Sequence, residues 1–232
     1  MRGMDLLKYF DRQAVAVMKH AIPSGFSVQY QEGESLQETY IKARDADSVS
    51  AYGSIVVVNR EIDRDTAQEI TKPFIEVVAA PGFSQGVMDI FEKKKKLRVV
   101  EYKGLEHMPK FIGDDVEGAY ELKVLPGGRV IFQKPYLTSI RSVEDLVLDP
   151  LVEKKSVEHV VKRDPTASEV NDLLTAWYVN IGVRSNGIVM VKDGTTVAVG
   201  SGQTERVRSV KQSIVLAYQK AMDREGISYD SL

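Results

Sequence analysis

Lys19 and His20 are adjacent residues whose side chains suit acid–base chemistry. They directly follow an apolar run at residues 14–18, which is typical of a buried strand. An unperturbed imidazole titrates at about pH 6.5, and a neighbouring ammonium favours its neutral, basic form. His20 is therefore a candidate general base with Lys19 beside it. The alternative is a surface histidine next to a solvated lysine, and these two residues taken alone favour that alternative.

Asn186 is a second candidate, at a predicted helix-to-strand junction. Its side-chain amide carries both a donor and an acceptor, so it can orient a polar substrate or stabilise an oxyanion. Asparagine followed by glycine is also a common way to end a helix. For Asn186 alone, this structural explanation is favoured.

A glycine-rich turn at residues 200–203 precedes a predicted helix that contains Arg206. Glycines before a helix let backbone amides approach an anion, and Arg206 can pair with a phosphate or carboxylate. The turn lacks the third glycine of a dinucleotide fingerprint and the Lys-Ser/Thr of a P-loop. A tight strand-to-helix turn without a ligand is an equally good interpretation.

Alternating strands and helices must position these residues. Apolar runs predict buried strands at residues 14–18, 55–58, 76–80 and 97–101. Helical periodicity predicts helices at residues 36–46, 63–71 and 84–94, and residues 50–53 are predicted to form a loop. This alternation predicts an α/β fold with a mostly parallel sheet. Ligands of such sheets bind beyond the carboxyl ends of the strands.

The pattern changes after residue 104. Alternating stretches on both sides of residues 126–128 predict a hairpin, and a charged linker follows to residue 156. A capping box formed by Thr166 and Glu169 then predicts a helix. Asp193-Gly194 predicts a second hairpin, and residues 206–223 predict a final helix. We therefore divide the chain into units of residues 1–156 and 157–232.

Composition excludes several classes of protein. The chain is 43% hydrophobic and 28% charged, a globular balance, and its net charge of −2 gives no reason to expect nucleic acid or an anionic membrane as partner. The absence of cysteine excludes disulfides, thiolate metal sites and a cysteine nucleophile. His107 and His159 lack metal-ligand spacing, so we expect no metal, and Lys93 to Lys96 are expected to form a solvated helix end. Without a secretory signal or a membrane-spanning run, we expect a cytoplasmic protein.

Several of these stretches together resemble the formyltransferase domain of the bifunctional aminoimidazolecarboxamide ribonucleotide (AICAR) formyltransferase/inosine monophosphate (IMP) cyclohydrolase family. Residues 19–25 are similar to the family's Lys-His-Ala-Asn-Pro-Cys-Gly loop, with Ile22 and Ser24 replacing Asn and Cys. Residues 47–53 resemble its Thr-Ser-Ala-Phe-Gly loop. Further matches follow in the family's order at residues 59–63, 74–81, 162–166, 184–186 and 200–206. The resemblance covers residues 11–221.

The resemblance implies a cytidine-deaminase-like three-layer fold in tandem units, the second of them incomplete, and a homodimer with active sites between subunits. It implies formyl transfer from the co-substrate 10-formyltetrahydrofolate to the 5-amino group of AICAR in IMP biosynthesis, without a metal. His20 would take the proton of the amine, Lys19 would stabilise charge on the formyl oxygen, and Asn186 would orient the reacting groups. The implied substrate-binding residues are Ser50, Tyr52, Gly53, Gln203 and Arg206.

Two family segments have no counterpart in these 232 residues. They are an upstream Arg-Tyr-Gly-x-Asn-Pro-His-Gln stretch and a downstream Ser-Asp-Ala-Phe-Phe-Pro-Phe stretch. The cyclohydrolase domain is also missing, so no ring closure is expected. We therefore expect a domain truncated at both ends, which is either a fragment of a longer protein or a short form that another chain completes. The alternative function is a catalytically silent nucleotide- or folate-binding module, and a nucleoside deaminase is disfavoured because its metal ligands are missing.

Overall fold

A computed structural model describes residues 2–147, 151–152, 158–159 and 162–227. By compactness the chain forms two units, one of residues Met1–Leu105 and Asn171–Leu232 and the other of residues Glu106–Val170. In chain order the helices and strands are α1 (Arg2–Leu7), β1 (Ala14–Lys19), β2 (Ile22–Val28), α2 (Leu36–Asp45), α3 (Ser48–Ala51), β3 (Ser54–Val58), α4 (Arg64–Ile70), β4 (Ile75–Ala80), α5 (Val87–Phe91), β5 (Arg98–Glu101), β6 (Glu121–Val124), β7 (Val130–Gln133), β8 (Leu151–Val152), β9 (Glu158–His159), α6 (Ala167–Asn180), β10 (Ile188–Lys192), β11 (Thr195–Gly200) and α7 (Arg206–Glu225).

The first unit contains a seven-stranded sheet with the order β10-β11-β2-β1-β3-β4-β5. The predicted α/β class is confirmed. The prediction of a mostly parallel sheet is wrong, because only β3, β4 and β5 run parallel to one another. Strand β1 is buried as expected, but it lies antiparallel to both of its neighbours, β2 and β3.

Strand β2 begins within residues 19–25, the stretch that resembles a loop of the family. His20 and Ala21 form a two-residue turn in which both residues have positive φ, 50° and 65°, as type I′ hairpin turns require. Pro23 is accommodated where the register between β1 and β2 shifts. Gly25 is required by packing, because a Cβ atom there would lie 2.0 Å from the carbonyl oxygen of Ala43 in α2.

Helices cover both faces of this sheet, which gives three layers. Along β1, Val15 and Val17 point to the core beneath α2, α4 and α5, whereas Ala14, Ala16 and Met18 point to the core beneath α1 and α6. This period of two is the one that a strand buried on both faces must satisfy. Val15 and Val17 are almost fully buried, and burial of each valine side chain contributes about 1.5–3 kcal/mol.

The hairpin of β10 and β11 extends this same sheet through the pairing of Thr195 with Ser27. Thr196 continues the contact through its hydroxyl, which accepts a hydrogen bond from the Phe26 amide at 2.9 Å. The Asp193-Gly194 turn is confirmed. The backbone amides of both turn residues donate hydrogen bonds to the Asp172 carboxylate, at 2.8–2.9 Å. The compact units thus divide at residues 105 and 170, and the division into tandem units at residue 156 stays a prediction.

The second unit contains the predicted hairpin, formed by β6 and β7 around a turn with two left-handed glycines, Gly127 and Gly128. A short pair of strands, β8 and β9, lies on either side of residue 156, where we predicted the linker to end and the second unit to begin. The capping box is confirmed, because the Thr166 amide donates to Glu169 Oε2 at 2.8 Å and the Glu169 amide donates to Thr166 Oγ1 at 3.3 Å.

Candidate functional site

The strand register places the candidate residues of the first unit at one end of the sheet. Lys19 ends β1 and pairs with Ile22, which begins β2. Because β3 is antiparallel to β1, the Tyr52-Gly53 loop precedes β3 at this same end. Strand β11 is antiparallel to β2, so Gly200 also lies there, paired with Ile188 at the start of β10. The site therefore combines the carboxyl ends of β1 and β11 with the amino ends of β3 and β10, rather than carboxyl ends alone.

Lys19 is directed toward the Tyr52-Gly53 loop. Its ammonium donates a hydrogen bond to the carbonyl oxygen of Tyr52. Gly53 has a φ of 68°, and a Cβ atom there would lie 3.3 Å from Lys19 Nζ, so glycine suits both the conformation and the close approach. His20 lies exposed at the tip of the β1–β2 turn. The two side chains therefore lie in different surroundings, although the residues are adjacent in the sequence. The Lys19 side chain is held by its hydrogen bond, and the His20 side chain is exposed to solvent.

Phe74 and Glu76 flank this loop, although neither residue stood out in the sequence as a candidate. The Tyr52 ring is 66% exposed and packs on Phe74 with a centroid distance of 5.3 Å. The Gly53 amide donates to the Phe74 carbonyl at 2.7 Å. The Glu76 carboxylate lies 3.8 Å from the position of a Cβ atom on Gly53. Their only sequence signal is the family-like stretch at residues 74–81, which also has the pattern of a strand.

Ser50 belongs to a helical turn, not to the predicted loop. Helix α3 begins after Asp47, whose Oδ1 accepts the Ser50 amide at 2.9 Å, as an N-cap does. The other oxygen of Asp47 pairs with Lys220 Nζ of α7 at 2.9 Å. The two side chains are only 17% and 10% exposed. This contact joins residues 173 positions apart, so no local pattern in the sequence could reveal it.

Asn186 and Gln203 meet in the structure. The Asn186 side-chain amide donates to the Gln203 carbonyl at 2.9 Å, which identifies its nitrogen. Ser209 Oγ of α7 donates to the Asn186 carbonyl at 2.6 Å. The Asn186 Oδ1 has the Ser185 hydroxyl at 3.4 Å, which is long for such a bond. The side chain is therefore fixed by its donor, and its oxygen can accept a hydrogen bond from a ligand.

The glycine turn has both structural and ligand-binding potential. Gly200 is needed for packing, because a Cβ atom there would lie 2.2 Å from Ser213 Oγ of α7. Gly202 adopts a left-handed conformation in open space. Arg206 is exposed at the first position of α7, and Glu205 provides no side-chain cap to the helix amides. Free amides beside a guanidinium favour an anion.

Lysines surround a cavity next to the Tyr52–Phe74 pair. The cavity, of about 390 Å³, has Phe74, Ile75 and Leu97 among its apolar walls. Its cationic walls are Lys72, Lys93, Lys94, Lys95 and Lys96. The last four are exposed, as predicted, but they do not form a helix end, because α5 ends at Phe91 and they follow it in turns. This surface suits an anionic group of a ligand.

Two negative findings apply to the described part of the chain. No group of three or more His, Asp or Glu residues there is arranged to hold a metal ion. None of the helices described is both long and apolar enough to cross a membrane.

Comparisons with known proteins agree with the resemblance inferred from the sequence. The family model described as AICARFT/IMPCHase bienzyme matches residues 2–216. The bifunctional purine biosynthesis protein PurH of Acetivibrio thermocellus is 35% identical over 213 residues, which are 91% of this chain and 37% of that protein. The proteins of the same name from Aquifex aeolicus and Anaeromyxobacter dehalogenans strain 2CP-C are 36% and 38% identical over 222 residues, or 95% and 96% of this chain. This chain spans 38% of each of the latter two. With a family match over nearly its whole length, the chain belongs to the AICARFT/IMPCHase bienzyme family.

Proposed function

We propose that this chain provides a formyltransferase site, which transfers the formyl group of 10-formyltetrahydrofolate to the 5-amino group of AICAR in purine biosynthesis. The observation that carries this proposal is that Lys19, Tyr52, Asn186 and Gln203 all lie at one end of the sheet. There Lys19 donates to the Tyr52 carbonyl and Asn186 donates to the Gln203 carbonyl. Family membership supplies the reaction class.

In this mechanism the amine nitrogen attacks the formyl carbon and the carbonyl electrons move to oxygen. His20 takes the proton that the nitrogen loses. The new C–N bond remains, the bond from the formyl carbon to N10 of the folate breaks, and N10 receives the proton from His20. His20 lies exposed at the turn tip, so its imidazole is accessible to a substrate, as this role requires.

Lys19 and Asn186 act on either side of the reacting carbon. An ammonium has three donors, so Lys19 keeps two for the developing oxyanion while it donates one to the Tyr52 carbonyl. Asn186 uses its nitrogen to hold Gln203, which leaves its Oδ1 to accept an N–H of the amine. Both assignments use donors and acceptors that the fold already orients.

Substrate binding involves the surrounding loops. Arg206 and the amides that precede it are proposed to bind the nucleotide phosphate, with Gln203 beside them. Ser50, Tyr52 and Gly53 are proposed to line the pocket, where the exposed Tyr52 ring offers a stacking surface for a planar heterocycle. The lysine-lined cavity suits an anionic part of either substrate.

We propose a homodimer, or a complementing chain, in the cytoplasm. Helix α7 supports association, because it exposes an apolar stripe of Val207, Val210, Ile214 and Tyr218. Such stripes mark surfaces that bind other chains. A cytidine-deaminase-like arrangement in tandem units remains part of the same proposal.

The alternative is a nucleotide- or folate-binding module without turnover. One observation favours it, namely that the Lys19 ammonium is directed to Tyr52 while His20 stands apart in solvent. Binding without transfer would be the expected behaviour if these side chains never converge on a substrate.

The deciding experiment measures formyl transfer from 10-formyltetrahydrofolate to AICAR with the purified chain. His20→Ala is expected to reduce kcat about 100-fold or more, which is the usual contribution of a general base, while the Kd for AICAR stays within about twofold. His107→Ala, a change at another exposed histidine, serves as the control. Wild-type binding without turnover would support the binding module, and equal turnover in His20→Ala would remove His20 from the mechanism.

A further inference from the structure

Lys220 lies far along the chain from the proposed site, yet its ammonium is buried against Asp47. We propose that Lys220 is a positioning residue, which acts through Asp47 to hold α3, the Tyr52 carbonyl and thereby Lys19. The activity part of this inference rests on the proposed function. Its structural part can be measured without any substrate.

The contacts form a continuous series. Lys220 Nζ binds one oxygen of Asp47, and the other oxygen accepts the Ser50 amide at the start of α3. Helix α3 has four residues and is followed by Tyr52, whose carbonyl accepts the Lys19 ammonium. A single helical turn is not stable by itself. Its placement therefore depends on its cap, and the position of the cap depends on Lys220.

Helix α7 has a second anchor on the same face. Ser209 holds the Asn186 carbonyl, and Lys220 follows eleven residues later. At 100° per residue, eleven residues return to within about 20° of the same direction, about 16 Å further along the axis. The buried residues of α7 are accordingly Ser209, Ser213 and Lys220. One rigid helix thus holds Asn186 at one point and the Tyr52-Gly53 loop at another.

The chemistry of the pair argues for geometry rather than for stability alone. A buried ion pair can often be replaced by apolar residues without loss of stability. A lysine reaching a capping aspartate instead fixes both oxygens of that carboxylate in direction, because each has its own donor. The orientation of the Asp47 carboxylate matters because it sets the position of the nearby Tyr52 carbonyl, which accepts a hydrogen bond from the proposed catalytic Lys19.

The test compares Lys220→Met and Asp47→Asn with the control Lys42→Met. Asparagine still caps a helix, so Asp47→Asn removes the charge but keeps the cap. Lys42 also pairs with a buried carboxylate, that of Glu34. Glu34 lies in the connection between β2 and α2, at the end of β2 opposite the proposed site. Amide hydrogen exchange of Ser50 and Gly53 is expected to become about tenfold faster in Lys220→Met and Asp47→Asn, but to stay unchanged in Lys42→Met.

Formyl transfer provides the second readout, measured well below the melting temperature of each variant. The kcat/KM is expected to fall about tenfold in Lys220→Met, and the double variant with Asp47→Asn is expected to be no worse, because residues that act through one contact are not additive. Lys220→Arg, which can restore the ion pair, is expected to recover most of the loss.

Unchanged exchange of Ser50 and Gly53 in folded Lys220→Met would overturn the inference, and so would strictly additive effects in the double variant. If Lys220→Met does not fold, Asp47→Asn gives the same comparison with Lys42→Met, and unchanged exchange of Ser50 and Gly53 in Asp47→Asn would then overturn the inference. Faster exchange in a chain whose wild type lacks formyl transfer would retain the positioning role and reject the proposed function.

Discussion

Among single residues, Asn186 is the one whose role the structure sharpens most. Its side-chain nitrogen donates to the Gln203 carbonyl, so its oxygen is the atom that can accept a further hydrogen bond. This arrangement differs from a helix cap, which was the simpler explanation of the Asn-Gly pair. The amide is therefore a fixed acceptor, and the loop that carries Gln203 depends on it.

Asn186→Asp hardly changes the size of the side chain, yet it is expected to lower both stability and formyl transfer. The carboxylate would bring an oxygen against the Gln203 carbonyl where a donor now lies. We expect the free energy of unfolding to fall by about 1–3 kcal/mol, the cost of a lost donor at a partly buried acceptor, together with a loss of formyl transfer. Denaturant unfolding and the transfer assay measure the two effects. Asn171→Asp on the exposed face of α6 is the matched control, and equal behaviour of the two variants would contradict this assignment.

Single residues also show why part of the site was invisible in the sequence. Lys19, His20, Asn186 and Gln203 stood out because each lies beside a break in a regular pattern. Phe74 and Glu76 sit at the start of a regular strand, and Lys220 sits inside a regular helix. Their proximity to the site arises from tertiary contacts, which local patterns do not encode.

At the scale of elements, the three parallel strands were predictable to within one residue at each end. Strands β3, β4 and β5 match the predicted apolar runs closely. The failure was β2, where Pro23 and Gly25 resemble loop residues. Pro23 is tolerated at the register shift, and Gly25 is set by α2. The direction of β1 was also wrong, because burial of a strand does not reveal which way its neighbours run.

The contact between β2 and α2 makes Gly25 a sensitive position. In Gly25→Ala the new methyl group would lie 2.0 Å from a backbone carbonyl oxygen, so the helix must move. We expect a loss of about 1–3 kcal/mol in the free energy of unfolding, the usual cost of overpacking. Gly82→Ala is the control, since its nearest neighbour would lie at an ordinary 3.5 Å. Equal stability of the two variants by chemical denaturation would show that α2 can shift freely.

At the scale of the whole molecule, buried carboxylates link folding to pH. Glu69 of α4 is 6% exposed, and it accepts hydrogen bonds from Arg44 of α2 and from Lys72. Burial alone would raise its pKa, but the hydrogen bonds from Lys72 and Arg44 outweigh burial and hold the pKa below its ordinary value. The ionised form therefore stabilises the packing of α2 against α4.

This linkage has a definite sign. A carboxyl group with a lower pKa in the folded than in the unfolded chain stabilises the fold above its unfolded pKa, and the contribution disappears as the pH falls through the folded pKa. Wild-type stability should therefore decline below about pH 4.5, the ordinary value for glutamate. Glu69→Gln is expected to be less stable at pH 7 and to show a flatter decline in acid, measured by urea unfolding across pH. Glu32→Gln, a change at an exposed position, should keep the wild-type slope; a wild-type slope in Glu69→Gln would refute the linkage.

The turn between β1 and β2 places His20 and Ala21 at positions where the left-handed backbone prefers asparagine and glycine. A left-handed conformation costs an ordinary residue about 1–2 kcal/mol, so His20 and Ala21 weaken the hairpin on which the sheet is built. Local strain of this kind tends to persist where function needs it. Selection for heat resistance alone would favour Asn-Gly at these positions. The first of these substitutions would replace His20 and remove its imidazole. A thermostable relative that still keeps a histidine in this turn would be one in which activity, rather than folding, has governed the choice of residue.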